Sequence, residues 1–300
     1  MATQFRKGTP TPATEQSQTH QNQFPSHENR SNESATRRRK RKRESRQHTL
    51  FSPPHQVIGV GSNPNPEQLR LPNMLVLPFT PRPVWVRPQN NYGSNRWVVF
   101  SPKLGRVVIL YSDLERDHWV LLEADPRILK FCEQPLRISV RLASGTVQTI
   151  FDMWLKWQDG QEELREVKYK DQLHGSPRAH RQLEAQATWA SLVSFRYSVV
   201  TEEVIRANPI FLANWKRILS YLGPRSRGDI RREIDQVKSL LAKFGMMPIG
   251  QIESRLSHLD CMLVRTALYL LIHSGGARAL GLDTQKLDGF TLVEEVRHDD

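Results

Sequence analysis

The most informative segment for the fold is Thr149-Ile150-Phe151-Asp152-Met153-Trp154-Leu155. This apolar run predicts a buried strand, in which the Asp152 carboxylate is costly unless a cation pairs with it. A second predicted strand carries Glu166-Val167-Lys168. Because successive side chains of a strand alternate faces, Glu166 and Lys168 project together. An aspartate followed by an acid and a lysine in this order is the arrangement used in metal-assisted phosphodiester hydrolysis.

The turn between the two strands decides whether the two acids can meet. A two-residue turn at Asp159-Gly160 would place Asp152 opposite Val167. A three-residue loop centred on Asp159, with Gly160 in the left-handed region, would place Asp152 opposite Glu166 instead. The sequence permits both registers, but only the longer loop or a bulge unites the acids on one face, and the turn residues agree with it.

Two carboxylates on one sheet face repel each other unless a divalent cation lies between them, and such hard oxygen ligands suit Mg²⁺ or Mn²⁺. The metal would lower the pKa of a bound water, while Lys168 would orient the nucleophile and stabilise transition-state charge. The alternative is an ordinary cross-strand ion pair between an acid and Lys168. The pattern alone leaves both interpretations open.

Glu115 is the fourth candidate, and its local sequence favours a structural role. Ser112-Asp113-Leu114-Glu115 fits a capping box, in which Ser112 caps a helix and Glu115 folds back on the first turn. The alternative is a metal ligand at the start of a helix that packs on the sheet. Glu123 and Asp125, near the end of the same helix, are expected to be solvated or to bond Arg127.

The chain has 300 residues and a formal net charge of +12, which favours polyanionic partners. Residues 1–75 are poor in apolar side chains, so we expect a disordered basic tail. This tail contains the cationic block Arg37-Arg38-Arg39-Lys40-Arg41-Lys42-Arg43. Such a block is typical of a solvated tail, of a nuclear localisation signal in a eukaryote, or of non-specific contact with DNA phosphates. The nuclease pattern downstream favours contact with DNA.

Predicted secondary structure follows one order over residues 76–204. A helix begins at Ser112 and ends before Pro126, and three strands and a further helix and strand follow: Leu136–Leu142, Val147–Trp157, Leu164–Tyr169, Arg178–Ser194 and Arg196–Thr201. A helix, a three-stranded meander, a helix and a strand predict an α/β core in which helices flank one mixed sheet.

Residues 205–300 follow a helical pattern and end in a turn-rich stretch. Helical segments are predicted near Pro209–Leu222, Gly228–Phe244, Ile249–Leu256 and Asp260–His273, and a hairpin between Gly275 and Val296. Helices followed by a hairpin predict a small winged-helix-like domain.

Several function classes find no support in the sequence. Cys132 and Cys261 lie far apart without clustered histidines, so neither a disulfide framework nor a zinc site is expected. This cysteine usage predicts a protein of the reducing cytoplasm. No apolar run reaches the ~18 residues of a membrane span, and no secretory signal is evident. No serine and histidine have the spacing of a catalytic triad.

Several motifs in one order resemble the TnsA endonuclease subunit of heteromeric transposases. The resemblance spans about residues 95–290, leaves the basic tail outside, and rests on Tyr111-Ser112-Asp113-Leu114-Glu115-Arg116-Asp117, Leu122-Glu123-Ala124-Asp125-Pro126, Phe131-Cys132-Glu133-Gln134-Pro135-Leu136, Phe151-Asp152, Glu166-Val167-Lys168, Val199-Val200-Thr201-Glu202-Glu203 and Leu270-Leu271-Ile272-His273-Ser274-Gly275-Gly276.

The resemblance implies a restriction-endonuclease-like core with Glu115, Asp152, Glu166 and Lys168 as the catalytic set. It implies that the three acids bind Mg²⁺, with Mn²⁺ as a substitute, and it moves Glu115 from a cap to a catalytic residue without excluding both roles. The family can carry a glutamine where this chain has Glu166. An acid at this position is common among related nucleases and keeps metal binding plausible.

The resemblance also implies a substrate and partners. Relatives of this type cut the 5′ ends of a transposon, while a DDE-type transposase, TnsB, cuts and joins the 3′ ends. An ATP-dependent regulator, TnsC, contacts the C-terminal domain. We therefore expect a bacterial cytoplasmic protein that acts on double-stranded DNA at transposon ends. The alternatives are a stand-alone restriction- or repair-type nuclease, and a non-catalytic DNA-binding assembly module whose acids merely pair with Lys168.

Overall fold

The computed structural model describes residues 81–84, 95–224 and 230–296. The predicted disordered tail, including the cationic block from Arg37 to Arg43, lies outside the described residues. All described residues belong to one unit, Leu50–Asp300.

The strands of the described ranges are β1 Trp97–Ser101, β2 Arg106–Leu110, β3 Ile128–Glu133, β4 Arg137–Leu142, β5 Gly145–Ile150, β6 Met153–Trp157, β7 Glu162–Lys168, β8 Arg196–Thr201, β9 Met247–Pro248, β10 Ala277–Ala279 and β11 Leu292–Glu295. The helices are α1 Asp113–Ala124, α2 Lys170–Gly175, α3 Pro177–Leu192, α4 Glu202–Ile205, α5 Pro209–Tyr221, α6 Arg231–Phe244, α7 Ile249–Arg255 and α8 Cys261–Ser274.

The central sheet is mixed, as the sequence predicts, and has the strand order β3-β6-β7-β8. Strands β3, β6 and β7 are antiparallel neighbours, whereas β8 lies parallel to β7. Helices cover both faces, since the two faces of β7 lie in different apolar clusters. Val167 packs with Leu114 of α1, and Leu164 packs with Trp189 of α3. The mixed α/β class is therefore confirmed.

The hairpin between β6 and β7 has the three-residue loop. Met153 lies opposite Arg165, and the Trp157 N–H donates to the Gln161 carbonyl at 2.9 Å. Gly160 takes a φ of +85°, a left-handed conformation that favours glycine. The register that unites the acids is thereby confirmed, because Asp152 comes opposite Glu166.

The prediction of one strand over Val147–Trp157 is wrong, and so is the three-stranded meander. The chain leaves extended pairing at Phe151 and Asp152, so that β5 pairs with β4 in a separate two-stranded sheet while β6 enters the central sheet. Phe151 is fully buried and packs on Trp189, with 5.7 Å between ring centroids. Apolar periodicity does not detect this break, because the residues on both sides remain extended.

Residues 205–224 and 230–296 contain the predicted helical segments, which appear as α5 to α8. The first two residues of the segment predicted near Gly228–Phe244 lie outside the described residues. The predicted terminal hairpin is present as β10 paired with β11, and β9 adds a third strand that the sequence did not predict. One apolar core links this region to α1, because Trp119 and Val120 lie in the same cluster as Ile218 and Leu268. The domain division at residue 205 stays a prediction.

Within the described ranges, none of the helices combines the length and apolar character needed to cross a membrane.

Candidate active site

Asp152, Glu166 and Lys168 come together at one end of the hairpin, on the face that packs against α3. The Lys168 ammonium lies 2.7 Å from the Glu166 carboxylate, and Asp152 lies close enough for its charge to act on both side chains. Glu166 has no exposed surface. Asp152 accepts the Val167 backbone N–H at 2.8 Å, which orients its carboxylate toward β7.

Two glutamines of α3 hold the Glu166 carboxylate from the opposite side. The Gln182 amide donates to Glu166 Oε1 at 2.7 Å, and the Gln186 amide donates to Glu166 Oε2 at 2.8 Å. Gln186 is itself fully buried and accepts the Tyr197 hydroxyl at 2.8 Å. Neither glutamine was predicted from the sequence. Their four-residue spacing on a helix was the available signal, because it places them on one face.

Burial dominates the electrostatics of the acids. It raises the pKa of Glu166 to about 8, with the charge of Asp152 adding to the effect. Burial likewise raises the pKa of Asp152, although the Lys168 ammonium opposes the rise. For Lys168 itself, burial lowers the pKa, but the Glu166 and Asp152 carboxylates more than offset this and the pKa is raised. The lysine is therefore held as a cation beside two carboxyl groups that hold protons readily.

Ser112 caps α1 as predicted, and Glu115 folds back on the first turn. The Ser112 hydroxyl accepts the Glu115 N–H at 3.0 Å, and the Glu115 carboxylate accepts the Tyr111 N–H at 3.0 Å. Burial raises the pKa of Glu115 to about 7, and the next contribution is the charge of Asp152. The Glu115 carboxylate is thus bonded at the start of α1 and lies close enough to interact electrostatically with Asp152 and Lys168. Its catalytic role stays a prediction.

Gln134 connects Glu115 to Asp152 and was also missed by sequence reasoning. Its backbone N–H donates to the Asp152 carbonyl at 3.0 Å, and its side-chain amide donates to Glu115 at 3.3 Å. The residue is buried and takes a φ of 39°, which is uncommon for a side chain other than glycine or asparagine. Backbone strain of this kind costs about 1–3 kcal/mol and clusters at functional sites.

Two other acids, one in the last turn of α1 and one directly after it, serve the fold. Asp125 bonds Arg127 at 2.7 Å, as the sequence predicts. The expectation that Glu123 is solvated or bonded to Arg127 is wrong, because Glu123 is buried and contacts His273 of α8 at 2.8 Å. Glu123 thus joins α1 to the C-terminal helices, which explains a carboxylate there without catalysis.

The oxygen-bearing side chains of the site are the type of ligand that a hard divalent cation prefers. Asp152 and Glu166 offer oxygen ligands that repel each other, and a cation between them would offset this repulsion. Within the described ranges, no three acidic, histidine or cysteine side chains converge closely enough to hold a metal ion. A metal would therefore be held by Asp152 and Glu166, and a role for Glu115 as a third ligand stays a prediction.

An acid pair beside a lysine, at the end of a mixed sheet, is the kind of site that metal-dependent phosphodiesterases use. Residues 125–202 match the family model described as "TnsA-like endonuclease N terminal". This range includes Asp152, Glu166, Lys168 and both glutamines, whereas Glu115 precedes it. Over residues 125–202 the chain is therefore similar to the TnsA-like endonuclease N-terminal domain, and this similarity implies nuclease activity. A search of curated proteins found no match to the chain.

Proposed function

We propose that the protein is the Mg²⁺-dependent endonuclease subunit of a heteromeric transposase and hydrolyses the 5′, non-transferred strands at transposon ends. The observation that carries this proposal is the meeting of Asp152, Glu166 and Lys168 within the range that matches the TnsA-like endonuclease domain. The core is then of the restriction-endonuclease type, and the helices and hairpin after residue 205 form a winged-helix-like domain.

The side chains divide the chemistry between them. A Mg²⁺ ion held by Asp152 and Glu166, with Mn²⁺ as a substitute, would lower the pKa of a bound water and stabilise the charge of an in-line displacement. Lys168 stays protonated beside the acids, so its ammonium neutralises charge on the scissile phosphate. Gln182 and Gln186 hold the Glu166 carboxylate in one orientation. Glu115 supplies a third carboxylate from the start of α1.

The proposed partners follow from the same family relationship. A TnsB-like DDE transposase would process the 3′ ends, and a TnsC-like ATP-dependent regulator would contact the C-terminal helices. The substrate is double-stranded DNA in a bacterial cytoplasm. The basic block from Arg37 to Arg43 would add non-specific contacts with phosphates.

Excision of the element from a plasmid, with the partner transposase present, tests the proposal. Asp152→Ala should abolish 5′-strand nicks while 3′-strand joining is retained. Asp171→Ala is the matched control, because Asp171 is an exposed carboxylate on the short helix after β7. Retained 5′ nicking by Asp152→Ala would refute a catalytic role for this site.

A second candidate function is a non-catalytic DNA-binding assembly module. The close Glu166–Lys168 ion pair favours it, because this pair is what a purely structural role requires. Unchanged end cleavage by both Asp152→Ala and Lys168→Ala would support this second function. A stand-alone restriction- or repair-type nuclease would instead cut DNA without any partner.

A further inference from the structure

A groove with a cavity volume of about 520 Å³ runs beside the candidate active site. One wall is the first half of α3, which contributes Arg178, Arg181 and Gln182, and the other is the β4–β5 hairpin. Arg137 lies on the hairpin side, at the start of β4. Cationic side chains thus face the groove from two separate elements.

The charge of the groove is uncompensated within the described part of the chain. Arg137, Arg178 and Arg181 are exposed, and none of them has a carboxylate partner among the described residues. None of the described residues that line the groove is acidic. Six arginines elsewhere do bond carboxylates: Arg106, Arg127, Arg165, Arg206, Arg265 and Arg278. The groove therefore has a positive potential that attracts an anionic ligand.

The groove adjoins the acid pair through a shared side chain. Gln182 lines it and also donates to the Glu166 carboxylate at 2.7 Å. Ile150 lines it as well, two positions before Asp152, and its carbonyl accepts the Gln186 amide at 3.2 Å. A polymer whose bond is cut at the acids would therefore extend into this groove on one side.

We propose that the groove binds the backbone phosphates of DNA next to the phosphodiester that is cleaved. This inference rests on the proposed function and specifies how its substrate is held. Arginine presents a planar fork of donors that matches a phosphate, and three arginines on two walls can contact successive phosphates. None of the described lining residues is aromatic, so bases have no stacking platform there. Contacts of this kind position the strand without reading its sequence.

The salt dependence of DNA binding tests the proposal on the full-length chain. Each phosphate contact adds about 0.9 to the slope of log affinity against log salt concentration. Binding of a fluorescent DNA duplex would be measured in EDTA for wild type and for the triple variant Arg137→Ala, Arg178→Ala, Arg181→Ala. We expect the triple variant to flatten the slope by roughly 2–3 and to bind at least about tenfold more weakly at moderate salt.

Two control proteins distinguish a specific effect of the groove on DNA binding from an effect of overall charge or of misfolding. Arg196→Ala removes an exposed arginine whose side chain alternates to the opposite face of the sheet, with Ser198, and it should leave the slope unchanged. Replacing the three groove arginines by lysine keeps the charge and should retain most of the slope. A duplex with neutral methylphosphonates next to the cleavage position should weaken wild-type binding and affect the triple alanine variant far less.

The outcomes distinguish this inference from the proposed function. An unchanged slope in the triple alanine variant, or an equal loss in Arg196→Ala, overturns the groove as a phosphate site. Normal DNA binding combined with lost binding to a protein partner would also overturn it, in favour of an acidic protein surface. Failure of the wild type to nick DNA with Mg²⁺ and partner transposase overturns the proposed function, while the slope measurement still decides the groove.

Discussion

Replacement of Gln186 by leucine is the sharpest probe of how the fold holds the acid pair. The buried amide donates to Glu166 at 2.8 Å and to the Thr149 hydroxyl at 3.1 Å, and it accepts the Tyr197 hydroxyl at 2.8 Å. A hydrogen bond to a charged group contributes about 1.5–3 kcal/mol, and one between neutral groups about 1 kcal/mol. We therefore expect Gln186→Leu to lower the free energy of unfolding by about 2–4 kcal/mol.

The stability lost in Gln186→Leu should increase as the pH rises. The Gln186 amide stabilises charged Glu166, whose pKa is about 8, so its removal costs more above that pH than below it. Urea unfolding in EDTA at about pH 6 and about pH 9 measures the difference. Tyr197→Phe is the matched control, because it removes one neutral bond and should cost about 1 kcal/mol at both values. A loss that is below about 1 kcal/mol, or that shrinks as the pH rises, would refute the role of the amide.

Three further predictions concern Glu166, Gln134 and Ser112. Glu166 has a folded pKa of about 8, above its ordinary 4.5, so the wild type should lose stability as the pH rises between these values. Unfolding in EDTA should show no such loss for Glu166→Gln. An equal loss in both proteins would contradict burial as the cause. Gln134→Gly relieves the strain of a positive φ but removes the hydrogen bond from the Gln134 amide to Glu115. The free energy of unfolding should therefore change by less than about 1 kcal/mol, while 5′-strand cleavage falls. Unchanged cleavage would show that Gln134 does not position Glu115. Ser112→Ala removes the cap of α1 and should cost about 1 kcal/mol in urea unfolding, whereas no loss would mean that the cap contributes nothing.

The helices and the hairpin register were predictable because their signals are local. Ser112 marks the start of α1 by capping its first turn, and Asp159-Gly160 determines the loop that sets the register of β6 and β7. The break at Phe151 was not predictable. It depends on which sheet each half of the stretch joins, and both halves remain extended.

The site shows the same division. Alternation along β7 placed Glu166 and Lys168 on one face, and the turn chemistry brought Asp152 opposite Glu166, so three members of the site followed from the sequence. Gln134 and Gln186 did not, because amides carry no chemistry of their own until a fold buries them beside a carboxylate.

The strand pair and the face on which the acid and lysine project follow from the sequence, and the turn residues favour the observed register, since periodicity and turn conformation act over a few residues. Tertiary structure alone decided that helix α3 covers that face, that Gln182 and Gln186 bond Glu166, and that burial raises the pKa of the acids. Burial and pairing depend on residues distant in the chain, so no local pattern encodes them. The arginine groove arises in the same way, because its two walls become neighbours only when α3 packs on the β4–β5 hairpin.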